Sequence, residues 1–179
     1  VSHPRKLIRD TVRDLLDGET DAKSRVYASR IIPYREIELP AISVYTLDES
    51  STADNATQEI TRELELVIEG IVAIVDPMRA DDELDALAEQ IEAAMDEDIF
   101  LKGDAGYSYL ASTSMEILDD SDRLVGLVTL TYTVTYHTPV WDQPDAHLKD
   151  FLRVKATHAV NSVPTGEQVE DDFTVQEAP

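Results

Sequence analysis

Residues 124 to 138 read LVGLVTLTYTVTYHT, an unbroken two-residue alternation. Leu124, Gly126, Val128, Leu130, Tyr132, Val134 and Tyr136 share one parity; Val125, Leu127, Thr129, Thr131, Thr133, Thr135 and His137 share the other. Successive side chains of a strand point to opposite faces, so this is one long strand with an apolar face and a threonine-rich face. At ~3.3 Å per residue it spans roughly 45 Å, whereas strands of globular domains run about 3–10 residues. Such a strand bends or projects past its own domain, and a projecting two-stranded ribbon is marginal without a partner. The pattern therefore points to assembly rather than to a pocket with chemistry in it.

The elements before this strand follow from periodicity. Leu7, Ile8, Val12, Leu15 and Leu16 form a helical stripe, Pro4 suits the first turn with Ser2 or His3 as cap, and Gly18 suits the stop, so residues 4–17 are predicted helical. Arg5, Arg9 and Arg13 recur every four residues on the other side, which reads first as a solvated face and second as a binding patch. RVYASRII (25–32) reads as a short strand ended by Pro33, and AISVYTL (41–47) as a second strand opened by Pro40. Residues 48–58, DESSTADNATQ, hold hardly an apolar side chain and are expected to form a polar, mobile loop. Residues 59–75 alternate Ile60, Leu64, Leu66 and Ile68 against Glu59, Glu63, Glu65 and Glu69, then turn apolar on both faces from Gly70, as a strand does on entering a covered core.

A second helix is predicted over 81–96, with Leu84, Leu87, Ala88, Ile91, Ala94 and Met95 as its stripe and Asp81, Asp82 and Glu83 at its N-terminal end. Residues 102–106 form a turn, 107–118 a strand, and 119–122 the tight turn of a hairpin with the opening strand. Pro139, Trp141 and Pro144 suggest a surface crossing, 150–160 a further short strand, and 161–179 an extended or disordered tail whose Phe173 and Val175 can dock on a neighbour. The order helix, three strands, helix, two strands, with short turns, predicts an α+β fold. Two helices pack on a mostly antiparallel sheet with long projecting β-hairpins. The division is a domain over 1–139 and a C-terminal extension over 140–179.

Composition narrows the function classes. The chain has 179 residues, 42% of them hydrophobic, which is enough for a core. It has no cysteine, so a disulfide scaffold, a thiolate zinc site and a cysteine nucleophile are excluded. No apolar run approaches the ~20 residues of a membrane helix, and VSHPRKLIRD lacks the apolar centre of a signal peptide. A soluble protein made in a cytoplasm, without a membrane partner, is expected. Net charge is −22 and unevenly spread: residues 1–35 carry +3, leaving −25 for the rest. So acidic a body repels phosphate backbones and is a poor candidate for wrapping DNA, though it suits a surface that DNA passes without sticking.

A search for chemistry finds little. His3, His137, His147 and His158 are scattered with no i, i+4 pair, so no metal is expected. Asp81–Asp82 and Asp119–Asp120 sit at a helix start and a turn, and no EF-hand spacing surrounds them or Asp171–Asp172. There is no glycine-rich phosphate loop and no G-x-S-x-G elbow. Glu63, Glu65 and Glu69 could suggest a carboxylate nuclease, yet they alternate as an exposed strand face does and no lysine is near them. Tyr132 and Tyr136 share the parity of aliphatic residues and read as core or sheet-face residues rather than a stacking platform. No catalytic residue and no cofactor is expected.

The whole order resembles the tail terminator proteins of long-tailed bacteriophages, the group that includes the minor tail protein U of lambda-like phages. The likeness runs over residues 4–139: a basic helix (RKLIRDTVRDLL), an arginine strand (RVYASR), LPAISVYTL, the acidic strand RELELVIEGIVA, the helix DDELDALAEQIEAAM and the closing strand LVGLVTLTYTVTYHTP. The order and spacing of these segments, and no single motif, carry it. The resemblance implies a virion protein, made in the host cytoplasm, that forms a hexameric ring. It also implies that the ring caps the tail tube, stops its polymerisation and meets the head-completion or connector proteins, and that DNA passes through the hole without specific binding.

The residues fit such a role. Long ribbons gain partners by assembly, head-to-tail interfaces close into rings, and a basic N-terminal segment beside an acidic body offers complementary surfaces. Candidate assembly surfaces are Arg5, Arg9 and Arg13 on the first helix, Asp48, Glu49 and Asp54 in the polar segment, Glu59, Glu63 and Glu65 on the acidic strand, and Thr129, Thr131, Thr133 and Thr135 on the threonine face. The alternatives are another head–tail joining protein, which position in the particle distinguishes, and an acidic module that binds a basic partner as a heterodimer. A small hydrolase would need a catalytic constellation that the sequence lacks.

Overall fold

The computed structural model describes residues 2–29, 38–54, 59–120, 123–139, 153–159 and 168–174. The chain divides into two compact units, Val1–Val140 and Trp141–Pro179. The first unit runs α1 (Pro4–Leu16), β1 (Val26–Ala28), β2 (Ala41–Asp54), β3 (Glu59–Ala73), α2 (Ala80–Asp96), β4 (Tyr107–Asp120) and β5 (Arg123–Pro139). The five strands form one sheet in the order β1-β2-β3-β5-β4. It is antiparallel apart from β1, which runs parallel to β2 across a connection too long for a hairpin. This is the α+β fold, with a mostly antiparallel sheet, that the alternation predicts.

Local chemistry sets the elements. His3 caps α1 by accepting the Arg5 amide at Nδ1 (3.2 Å), Pro4 opens the helix, and Gly18 at φ +86 takes the left-handed conformation that ends it. The α1 stripe Ile8, Val12 and Leu16 is fully buried, as are Leu84 and Ile91 of α2. Both helices join one core with the even-numbered residues of β3 and β5, including Leu64, Leu66, Ile68, Val128, Leu130 and Val134. Two glycines set how closely α2 approaches the sheet. A Cβ on Gly70 would lie 2.7 Å from Leu87 Cδ2, and one on Gly126 would lie 2.9 Å from Leu84 Cδ2.

Three expectations change. Residues 48–54 are not loop: β2 continues to Asp54, and Glu49–Asp54 pairs with Leu64–Glu59 across a bulge at Thr46–Glu49. Leu47, Asp48 and Ser50–Ala53 are exposed, so this stretch has no need of apolar alternation, and its polar composition hides a strand. The expected mobility of 55–58 lies outside the described residues. The acidic strand stops at Ala73, because a short turn at Pro77–Arg79 feeds α2. In the second unit, Gln168–Thr174 of the expected extended or disordered tail is a paired strand. It forms β7, antiparallel to β6 (Arg153–Ala159), with Arg153 opposite Thr174 and Ala159 opposite Gln168. The predicted end of the arginine strand at 30–32 and the crossing with Trp141, Pro144 and His147 lie outside the described residues, as does the proposed docking residue Val175.

Candidate functional site

The sheet face turned away from the helices collects the sequence candidates. Register places Glu63 opposite Thr135, Glu65 opposite Thr133, and Glu69 opposite Thr129. On the far side of β5, Tyr107 and Tyr109 oppose Thr135 and Thr133, and Ser112 and Ser114 oppose Thr131 and Thr129. The result is a carpet of carboxylates and hydroxyls. Thr129, Thr131, Thr133 and Thr135 are half-buried, while Glu59 and Glu63 are exposed. A concavity of about 660 Å³ lies here, and it brings together Asp48, Glu49, Glu63, Glu65, Thr131 and Thr133. Among the described residues no Lys, Arg or His lines it. Such a surface accepts hydrogen bonds and repels anions.

Burial raises the Glu69 carboxyl above its ordinary range against an opposing hydrogen bond from Tyr45. Asp54 ends β2 opposite Glu59, its side chain outside the described residues. His137 shares the threonine parity and sits 3.3 Å from Thr61 Oγ1. Among the described residues no group of three or more His, Asp or Glu could hold a metal ion, and no helix is long and apolar enough to cross a membrane.

Glu49 is the exception among the acidic candidates. Its side chain is only 9% exposed and joins three strands. Arg62 Nη1 donates to Glu49 Oε1 at 2.7 Å, Tyr136 Oη donates to Glu49 Oε2 at 2.5 Å, and Arg62 Nε donates to Thr138 Oγ1 at 3.0 Å. Arg5 Nε adds its charge at 3.9 Å. Burial pushes the Glu49 carboxyl upward, but these hydrogen bonds and charges outweigh it and hold the group below its ordinary value. Burial and the neighbouring carboxylate push the Tyr136 hydroxyl up to about 12. Glu49 is thus a clasp between β2, β3 and β5 as well as a rim of the concavity.

The three arginines of α1 are also engaged within the unit. Arg9 Nη1 donates to Thr46 Oγ1 at 2.5 Å, Arg13 bonds Asp14 at 2.8 Å and approaches Asp10 at 3.4 Å, and Arg5 faces Glu49. Arg5 and Arg9 tie α1 to β2 through Glu49 and Thr46, so they are not a purely solvated face.

The sequence reading missed Arg62, although a signal existed. It is the one cation of β3 and shares the parity of Ile60, Leu64 and Leu66, where a buried partner is required. It also missed the exposure of β4. Tyr107 and Tyr109 are 47% exposed, and Met115, Ile117 and Leu118 are 40–47% exposed.

Comparison with known proteins identifies a family. Residues 3–136 match the family of the phage minor tail protein U. No curated protein matches the chain. Among solved structures, a chain in the virion of a native gene transfer agent particle aligns with 11% identity and a TM-score of 0.41, over 73% of this chain and 92% of that one. The family match spans α1 through nearly all of β5, and the chain belongs to the phage minor tail protein U family of structural tail proteins.

Proposed function

We propose that this tail protein is a terminator: a ring that caps the tail tube, stops its polymerisation and joins it to the head-completion or connector proteins. The observation that carries this reading is membership of the minor tail protein U family over residues 3–136. The sheet face supports it. Glu63, Glu65, Thr131 and Thr133 line a concavity that no cation lines among the described residues, and the Glu–Thr rows of β3 and β5 extend beyond it. Turned towards the hole of a ring, that face lets DNA slide, because strong phosphate contacts require Lys or Arg. In this reading the ring is homohexameric, its protein partners are the tube and the neck, and no cofactor takes part.

Negative-stain microscopy of the purified protein tests the class directly: a six-fold ring is expected, and a strict monomer at high concentration and in assembled tails would count against it. The face is tested by Thr131→Lys with Thr133→Lys. Circular dichroism should show an unchanged fold, while native mass spectrometry or tail assembly shows a weakened ring or lost tube docking. Unchanged rings in working tails would remove the threonine face from the proposal.

A further inference from the structure

Among the described residues the sheet has two open edges, and topology relates them. β1 pairs only with Ile42–Val44 of β2, so Leu47–Asp54 has no strand on its outer side among the described residues. At the other end of the sheet order, β4 has β5 on one side and no described strand on the other. Long free edges are normally guarded by lysine, proline or a covering element, since they template pairing with another chain. Neither Leu47–Ala53 nor Tyr107–Leu118 contains Lys, Arg or Pro. Each edge has one irregularity, at Thr46–Glu49 and at Leu110–Ser112, which leaves a regular run beyond it. In a chain with 29% charged residues, both edges hold a short uncharged run of small side chains. These are Ser50, Ser51, Thr52 and Ala53 on β2, and Ala111, Ser112, Thr113 and Ser114 on β4, and all are exposed.

The geometry points to a second copy of this chain as the occupant: β4 of one protomer pairs with the Ser50–Ala53 stretch of β2 in the next, continuing the sheet around the ring. Strands β2, β3, β5 and β4 alternate in direction, so the two free edges run antiparallel to each other. A rotation that sets the next β2 beside β4 therefore creates an antiparallel pair of Ser/Thr-rich strands, a favourable cross-strand combination. The joint is head-to-tail, as a closed ring requires.

The stagger also fits. Through the registers, Ser112 lies level with Thr131 of β5, and Thr52 lies level with Thr61 and hence with His137. The two runs are thus six residues apart along β5, or roughly 20 Å at ~3.3 Å per residue, across four strands that occupy roughly 19 Å at ~4.8 Å each. Closing a ring through these runs leans the strands by about 45° to its axis, at the upper end of the 35–45° typical of closed β-structures. Exposed Leu47 on one edge then comes near Met115 and Ile117 on the other.

This inference rests on the ring reading, and the absence of cysteine allows the two to be tested apart. Double variants combine Ser50→Cys, Ser51→Cys or Thr52→Cys with Ser112→Cys, Thr113→Cys or Ser114→Cys in the full chain. They are oxidised at a concentration where microscopy shows the oligomer and read on denaturing gels. Antiparallel pairing predicts a reducible ladder of linked species, strongest in those pairs whose position numbers share one sum, and no ladder in single variants. Rings that form without any link would overturn edge pairing and leave the ring intact. Linking by Ser112→Cys alone would indicate a two-fold contact between β4 edges and overturn it as well. A chain that never forms rings, alone or on tubes, would overturn both.

Discussion

β4 and β5 are the two arms of one hairpin, paired from Tyr107–Thr135 to Asp120–Arg123, yet they occupy opposite environments. On β5, Val128, Leu130 and Val134 are fully buried and Tyr132 and Tyr136 nearly so. On β4, every residue from Ala111 to Asp119 is exposed. Both strands alternate, and both contain β-branched and aromatic residues. The difference is position: Gly70 and Gly126 bring α2 close over β3 and β5, and Thr113, Met115 and Ile117 extend the same face past it. Alternation therefore identifies a strand without saying whether its apolar side is covered by its own chain.

Paired truncations test this contrast most strongly. Leu130→Ala removes a fully buried side chain and should cost about 2–5 kcal/mol, whereas Ile117→Ala, at 47% exposure, should fall within about 0.5 kcal/mol. Urea unfolding at a concentration where the protein is monomeric reads both. Similar losses at the two positions would mean that β4 is covered within the subunit, and the contrast would fail.

A smaller effect is expected at the clasp that joins β5 to the other long hairpin. Arg62→Ala leaves the Glu49 carboxylate, 9% exposed, without the guanidinium that donates to its Oε1, though Tyr136 still donates to Oε2. A loss of about 1–3 kcal/mol follows for a buried acceptor stripped of one partner. Arg62→Met retains much of the stem packing and should recover only part of the loss. Full recovery would show that the stem, not the charge, matters there.

These residues also mark what the sequence could reveal. The helices, β3 and β5 were legible because one face of each is buried and writes a period of 3.6 or 2 into the chain, and β4 because it keeps that alternation although both its faces are exposed from Ala111 to Asp119. The far half of β2 was not, since Ser50–Ala53 is exposed on both faces and its strand conformation is imposed by pairing with β3. β7 was hidden for a related reason: QVEDDFT carries charged residues that read as tail, while its register with β6 is a long-range fact. For the candidate site, parity grouped Glu63 with Glu65 and Thr131 with Thr133, and the register of β3 with β5 sets the two groups on one face. Sequence alone placed Glu49 in a wet loop, because only the fold brings Arg62 and Tyr136 to it.

The last contrast is between two glutamates of the same sheet and concerns acid. Glu49 has a folded-state pKa below its ordinary 4.5, because the hydrogen bonds and charges around it outweigh its burial. Its contribution to stability is present above 4.5 and is lost as pH falls through the folded value. Glu69 is raised above 4.5 by burial, so its contribution is fully present below 4.5 and is lost as pH rises through the folded value. The corresponding glutamine variants should therefore diverge. Glu49→Gln is expected to be less stable than the parent at neutral pH, with the gap closing below 4.5 as the parent's carboxylate protonates. Glu69→Gln is expected to match or exceed the parent at neutral pH and to lose that advantage on acidification, where the parent already carries a neutral side chain. Unfolding midpoints measured from pH 7 to pH 3 in both variants read the two slopes. If they have the same sign, the carpet on the open face does not desolvate Glu69, and the two carboxylates belong to one environment.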